Sequence, residues 1–147
     1  MTISVFHLFK IGIGPSSSHT VGPMLAASQF ADAIARAGEL ESVHRITVHL
    51  FGSLGATGRG HGTHKAVQLG LMGEKPEQVD PNSIPDKLAE IESHRRLLLN
   101  GQQAINFDPK RDLKFMVRKR LPYHPNAMRL RADDADGKTL LERAYYS

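Results

Sequence analysis

The 147-residue chain contains no cysteine. It can therefore form no disulfide, offer no thiolate nucleophile and supply none of the usual ligands of an iron–sulfur cluster. Nor does any run approach the roughly 20 consecutive apolar residues that a membrane-spanning helix requires. The N-terminal stretch MTISVFHLFKIG lacks the basic start and small-residue cleavage site of a secretory signal, and the chain reads as cytoplasmic. No low-complexity tract is present, and 40% apolar with 23% charged residues is ordinary globular composition. At this length the expectation is one domain with a real core, not two.

The charge balance leans the other way. A net charge of +4 and a pI near 9.6 suit an anionic partner, and six of the eleven residues from Lys110 to Arg120 are basic. Only Phe115 interleaves an aromatic ring for base stacking. The run therefore reads as a solvated, partly strand-forming face, and no nucleic-acid partner is expected from it.

Apolar periodicity organises the chain. Met24, Ala27, Phe30, Ala31 and Ile34 share one helical face, with Thr20 or Ser18 as possible cap, Pro23 in the first turn and Gly38 as a stop. Val43, Ile46, Val48 and Leu50 mostly alternate with polar residues, the period of a half-buried strand. After a glycine-rich loop, Ala66, Val67 and Leu69 to Met72 predict a short helix closed by Gly73. A third helix is predicted from a Ser83 cap with Pro85 early, carried by Leu88, Ile91 and Leu98. QAINFD, LKFMV and NAMRLRADD then read as strands, and the Asp-Gly turn of DADGKTLLERAYYS predicts a hairpin with a last strand through Leu141 to Tyr145. The order helix, strand, helix, helix and then a strand meander predicts an α+β fold, with helices on one face of a mixed or antiparallel sheet. The last strand has no breaking residue after it, as expected of a domain cut from a longer chain.

Three polar loops could carry chemistry. In GPSSSHTVGP, Ser16, Ser17, Ser18, His19 and Thr20 crowd a predicted helix start, where unpaired amides and the helix dipole favour a carboxylate or phosphate. The alternative is a generously capped helix with a spare histidine. In GSLGATGRGHGTHKA, His61, Thr63 and His64 meet a second helix start, a place for acid–base chemistry on a small polar ligand. This loop matches neither the phosphate-binding G-x-x-x-x-G-K-[ST] nor the dinucleotide-binding G-x-G-x-x-G pattern. His61 and His64 make half a zinc site at most, so no metal site is expected. In LPYHPNAMRL, Pro125 biases His124 toward extended backbone beside Asn126. An imidazole and an amide can together read an amino acid's carboxylate and amine, although an ordinary loop accounts for the segment equally well.

Together, GIGPSSSHTVGP, GSLGATGRGHGTHKA, SIPDKLAEIESHRRLLLNG, LPYHPNAM and the closing YYS resemble, in order and over nearly the whole chain, the N-terminal or beta domain of bacterial iron–sulfur L-serine dehydratases. The resemblance implies a domain of an L-serine ammonia-lyase, which converts L-serine to pyruvate and ammonia with a [4Fe-4S] cluster. In such enzymes the cluster cysteines belong to a C-terminal catalytic domain, so no cofactor is expected in this chain and it should be inactive alone. It also implies similarity to the effector-binding domain of some D-3-phosphoglycerate dehydrogenases. Carried over by position, the resemblance makes His61, His19 and Ser17 catalytic. It makes Ser16, Ser18, Thr20 and Thr63 substrate- or interface-facing, and His124 and Asn126 the effector site for L-serine. A homodimer is implied as well. Where the family usually has aspartate after the loop threonine, this chain has His64. Rival readings are a structural or dimerising domain without a ligand and, less favoured, a basic nucleic-acid-binding module.

Overall fold

The computed structural model describes residues 20–52, 54, 62–116 and 127–146. Of the predicted site residues, Ser16, Ser17, Ser18, His19, His61, His124 and Asn126 lie outside these. Helix α1 spans Val21–Arg36 and, after a single 3-10 turn at Leu40–Ser42, leads into strand β1 at Arg45–Phe51. Helices α2 (Thr63–Leu71) and α3 (Ile84–His94) follow, then the hairpin strands β2 (Arg96–Leu99) and β3 (Gln103–Asn106). A four-residue helix α4 (Pro109–Asp112) introduces β4 (Leu113–Met116), and β5 (Ala127–Asp133) and β6 (Thr139–Tyr146) complete the fold.

The principal sheet has the order β4-β1-β5-β6. β1 runs parallel to β4 and antiparallel to β5, and β5 and β6 form an antiparallel hairpin. The predicted α+β architecture is present, and the sheet is mixed. Strand alternation sends Ile46, Val48 and Leu50 of β1 and Met128, Leu130 and Ala132 of β5 into one core with Ala27, Phe30, Ala31 and Ile34 of α1 and Val67 and Leu71 of α2. Helices therefore cover one face, as the apolar periods require. No described helix is long and apolar enough to cross a membrane.

Both long motif-bearing helices close the same way. At α1, the Gly38 N–H donates to the Ala35 carbonyl and the Glu39 N–H to that of Ile34. At α2, the Gly73 N–H donates to Gly70 and the Glu74 N–H to Leu69. Gly38 (φ 72°) and Gly73 (φ 90°) sit in the left-handed region that this closure needs.

The third helix is shorter than its sequence predicts. It ends at His94, Arg95 turns the chain at φ 53°, and Leu98 lies on β2. Leu97 and Leu99 are buried while Leu98 is 43% exposed, the period of a strand and not of the predicted helix. Asn100 (φ 54°) and Gly101 (φ 70°) carry the φ values of a type I′ turn, closed by the Gln102 N–H on the Leu99 carbonyl at 2.9 Å. The Asn-Gly pair was the missed signal.

Close contact between α1 and α2 rests on Gly70. A Cβ there would lie 2.3 Å from the Met24 carbonyl oxygen and 2.7 Å from the Ala27 Cβ. Met24 also packs with Ala66 and Leu69 of α2, and farther along, Lys75 donates to Asp32 of α1 at 3.2 Å. The contacts advance in the same sense along both helices, so the two N-termini lie at one end of the pair. Gly70→Ala is expected to destabilise the fold by about 1–3 kcal/mol in urea unfolding, because overpacking outweighs the ~1 kcal/mol helix-propensity gain of alanine. A neutral or stabilising result would show that the helices can separate without cost.

Candidate functional site

The register of the sheet aligns four strand ends. Phe51 at the end of β1 pairs with Met116 at the end of β4 and with Ala127 at the start of β5, and Ala127 pairs with Tyr146 at the end of β6. The segment between β1 and α2, which contains His61, leaves from this row. The segment between β4 and β5, which contains His124 and Asn126, begins and ends on it. The first turn of α1 adjoins the same row: Val21, Pro23 and Leu25 share a cleft of about 550 Å³ with Met128, Tyr145 and Tyr146. All three polar segments picked out in the sequence therefore attach to one end of the molecule.

Two predicted site residues are described. Thr20 is fully buried immediately before α1, and its carbonyl accepts the Met24 N–H at 2.9 Å. Its side chain makes no capping bond to the helix. Thr63 is likewise fully buried, as the first residue of α2. Gly62 precedes it at φ 80°, and the Gly62 carbonyl accepts from the amides of Lys65 and Ala66. The structure thus brings Thr20 and Thr63 to the N-termini of two helices pointing the same way. Two such ends present amide donors and partial positive charge to one region, an arrangement suited to a carboxylate.

His64 lies in the first turn of α2. Its ring meets Phe115 of β4 edge-on, with centroids 5.7 Å apart and planes at 67°, and its carbonyl accepts from Gln68 Nε2 at 2.9 Å. Tyr145 lines the cleft beside α1, and burial pushes its phenol up from the ordinary value while Arg143 opposes the shift. At neutral pH that hydroxyl is a donor. Met128, Tyr145 and Tyr146 were not singled out as site residues in the sequence, since nothing local marks them as strand ends beside a helix start.

The opposite end of β1 is fixed differently. Asp112, fully buried, accepts from Arg45 Nε at 2.9 Å, from Arg111 Nε at 2.9 Å and Nη2 at 3.0 Å, and from the Asp108 N–H at 3.0 Å. Burial alone would push this carboxyl up. The Arg111 hydrogen bond and charge, the Asp108 amide and Arg45 outweigh it and hold the group below its ordinary range. Part of the basic run is thus tied down: Arg111 is committed to Asp112, whereas Lys114 is exposed on β4. Among the described residues no group of three His, Asp or Glu side chains is placed to hold a metal ion.

An α+β domain whose three polar segments attach at one end of its sheet is the class of protein seen here. The family described as serine dehydratase beta chain matches residues 4–147, and the chain belongs to that family. It is 53% identical over 147 residues to an L-serine dehydratase of Streptomyces coelicolor, and 44% identical over 146 residues to L-serine dehydratase 1 of Escherichia coli. An L-serine dehydratase of Mycobacterium tuberculosis is 46% identical over 147 residues. These matches cover 99–100% of this chain but 32% of each relative, so the chain spans about a third of their length.

Because Asp112 is depressed in the folded state, its contribution is present above the ordinary carboxylate pKa and is lost as pH falls through the folded value. Asp112→Asn is expected to cost about 2–4 kcal/mol at pH 7 and to flatten the loss of stability below about pH 4. Denaturant unfolding of both proteins from pH 7 to pH 2 checks this. Parallel pH profiles would remove Asp112 as the source.

Proposed function

We propose that the chain is the beta domain of an L-serine ammonia-lyase, the enzyme that converts L-serine to pyruvate and ammonia, and that it works with a C-terminal catalytic domain of the same enzyme. The observation that carries this is the attachment of all three motif segments to one end of the sheet. Family membership and the L-serine dehydratase names of the relatives support the substrate.

In this reading Ser17, His19 and His61 reach the substrate from the segments that precede α1 and α2. Ser16, Ser18, Thr20 and Thr63 face the substrate or the catalytic domain. The two helix N-termini favour the substrate carboxylate, and an imidazole from either segment exchanges a proton with the bound amino acid. His124 and Asn126 bind L-serine as an activator, and the assembled enzyme is a homodimer. The [4Fe-4S] cluster expected for this class does not fit the residues present: the chain has no cysteine. We assign the cluster to the catalytic domain, and we expect the chain alone to be inactive. A ligand-free structural or dimerising domain is the competing reading.

Calorimetric titration of the 147-residue chain with L-serine, with D-serine and a His124→Ala chain as controls, separates these. Stereospecific binding that disappears in the variant supports effector binding by the domain. Absence of binding leaves the structural reading for the isolated chain. In the complete enzyme, His19→Ala should lower kcat by at least ~100-fold with a Tm change under about 2 °C, and unchanged kinetics would remove His19 from the reaction.

A further inference from the structure

A second cleft, of about 410 Å³, lies between α2, α3 and the α4–β4 segment, and no part of the proposed reaction uses it. Its volume falls in the range of small-molecule sites. Leu88, Leu113 and Phe115 supply an apolar wall. Phe115 is half-buried and lines the cleft, with His64 packed on its edge.

The rim is cationic. Arg95 and Lys110 line the cleft, and among the described residues neither the guanidinium of Arg95 nor the ammonium of Lys110 has a partner. The lining holds Lys65, Arg95 and Lys110 against Glu92 and Asp108, one positive charge in excess. Arg95 also occupies the left-handed region (φ 53°) at the end of α3, a place where glycine is usual and a side chain is strained. That strain is kept at a residue whose guanidinium bonds nothing in the described protein, and such outliers gather at ligand sites.

We propose that this cleft binds a small monocarboxylic acid with an apolar body. The apolar part covers Phe115 and Leu113, and the carboxylate accepts from Arg95 and Lys110. One negative charge answers the excess positive charge, and a planar carboxylate matches the guanidinium fork. The site is independent of the L-serine reading, since it shares none of the residues assigned to it.

The test uses the 147-residue chain, with binding followed by amide NMR shifts during titration. Benzoate supplies both the charge and the apolar body, benzamide keeps the body without the charge, and acetate keeps the charge without the body. Benzoate should bind saturably, with Kd on the order of 1 mM, shifting residues of α2, α3 and β4. Benzamide and acetate should bind at least ~10-fold more weakly. Arg95→Gly should lose ~10-fold or more in benzoate affinity while its ligand-free Tm stays level or rises, because glycine relieves the positive φ. Lys110→Glu, on the exposed side of α4, should weaken benzoate similarly. The proposal is overturned if benzoate gives no saturable shift, if benzamide binds as well, or if benzoate affinity survives either substitution.

Discussion

Where Gly70 meets Met24 and Ala27, helices α1 and α2 approach until no side chain fits between them. That close approach governs the geometry of the motif end. It holds α1 and α2 in the same sense over one face of the sheet, and it places Thr20 and Thr63 at one end. A core of Phe30, Ile34, Leu50, Leu71 and Leu130 fills the space beneath. Each such buried side chain contributes roughly 1.5–3 kcal/mol, but burial is non-directional, and this crossing is what makes the packing specific.

β1 joins two ends of different chemical character. At Arg45 a buried carboxylate gathers two guanidinium groups, and the chain there is locked by charge-assisted hydrogen bonds. At Phe51 the aromatic ring lies under the Arg129 guanidinium, 5.3 Å from its centroid, in a row of strand ends from which the motif segments depart. A rigid anchor at one end and loop-bearing strand ends at the other is the usual division of labour between scaffold and site. The ordering of Asp112 has no counterpart in a simple apolar core, because removing one partner would leave charge buried and uncompensated.

Much of the fold was legible in the residues. The five apolar positions of α1, its Gly38 stop, the alternation of β1 and the Asp-Gly hairpin all express local periods that tertiary packing did not overrule. The end of α3 was not legible, because the chain reverses at an arginine with neither glycine nor proline to mark it, and Leu98 fits a helical and a strand spacing equally well. The parallel pairing of β1 with β4 has no local signal at all. Thr20 and Thr63 stand at the two helix starts that the apolar periods predict. That the two starts fall at one end depends on Gly70, which a motif cannot express. Lys110 is the exposed charge that its sequence predicts, whereas the tie between Arg111 and Asp112 was not legible, because the burial of Asp112 is invisible from composition.

The mixed sheet also imposes an order of assembly. β5 and β6 are joined by a five-residue turn and can pair locally, whereas Val48 of β1 must wait for Leu113, about 65 positions later, and for Leu130, about 82 positions later. Such separations carry a loop-closure cost that slows folding. As the chain leaves the ribosome, α1, β1 and α2 emerge first, with both edges of the strand that becomes the centre of the sheet open to other chains. Its two neighbours arrive one on each side, in parallel and antiparallel sense. The row of strand ends at Phe51, Met116 and Ala127 is complete only after both have docked.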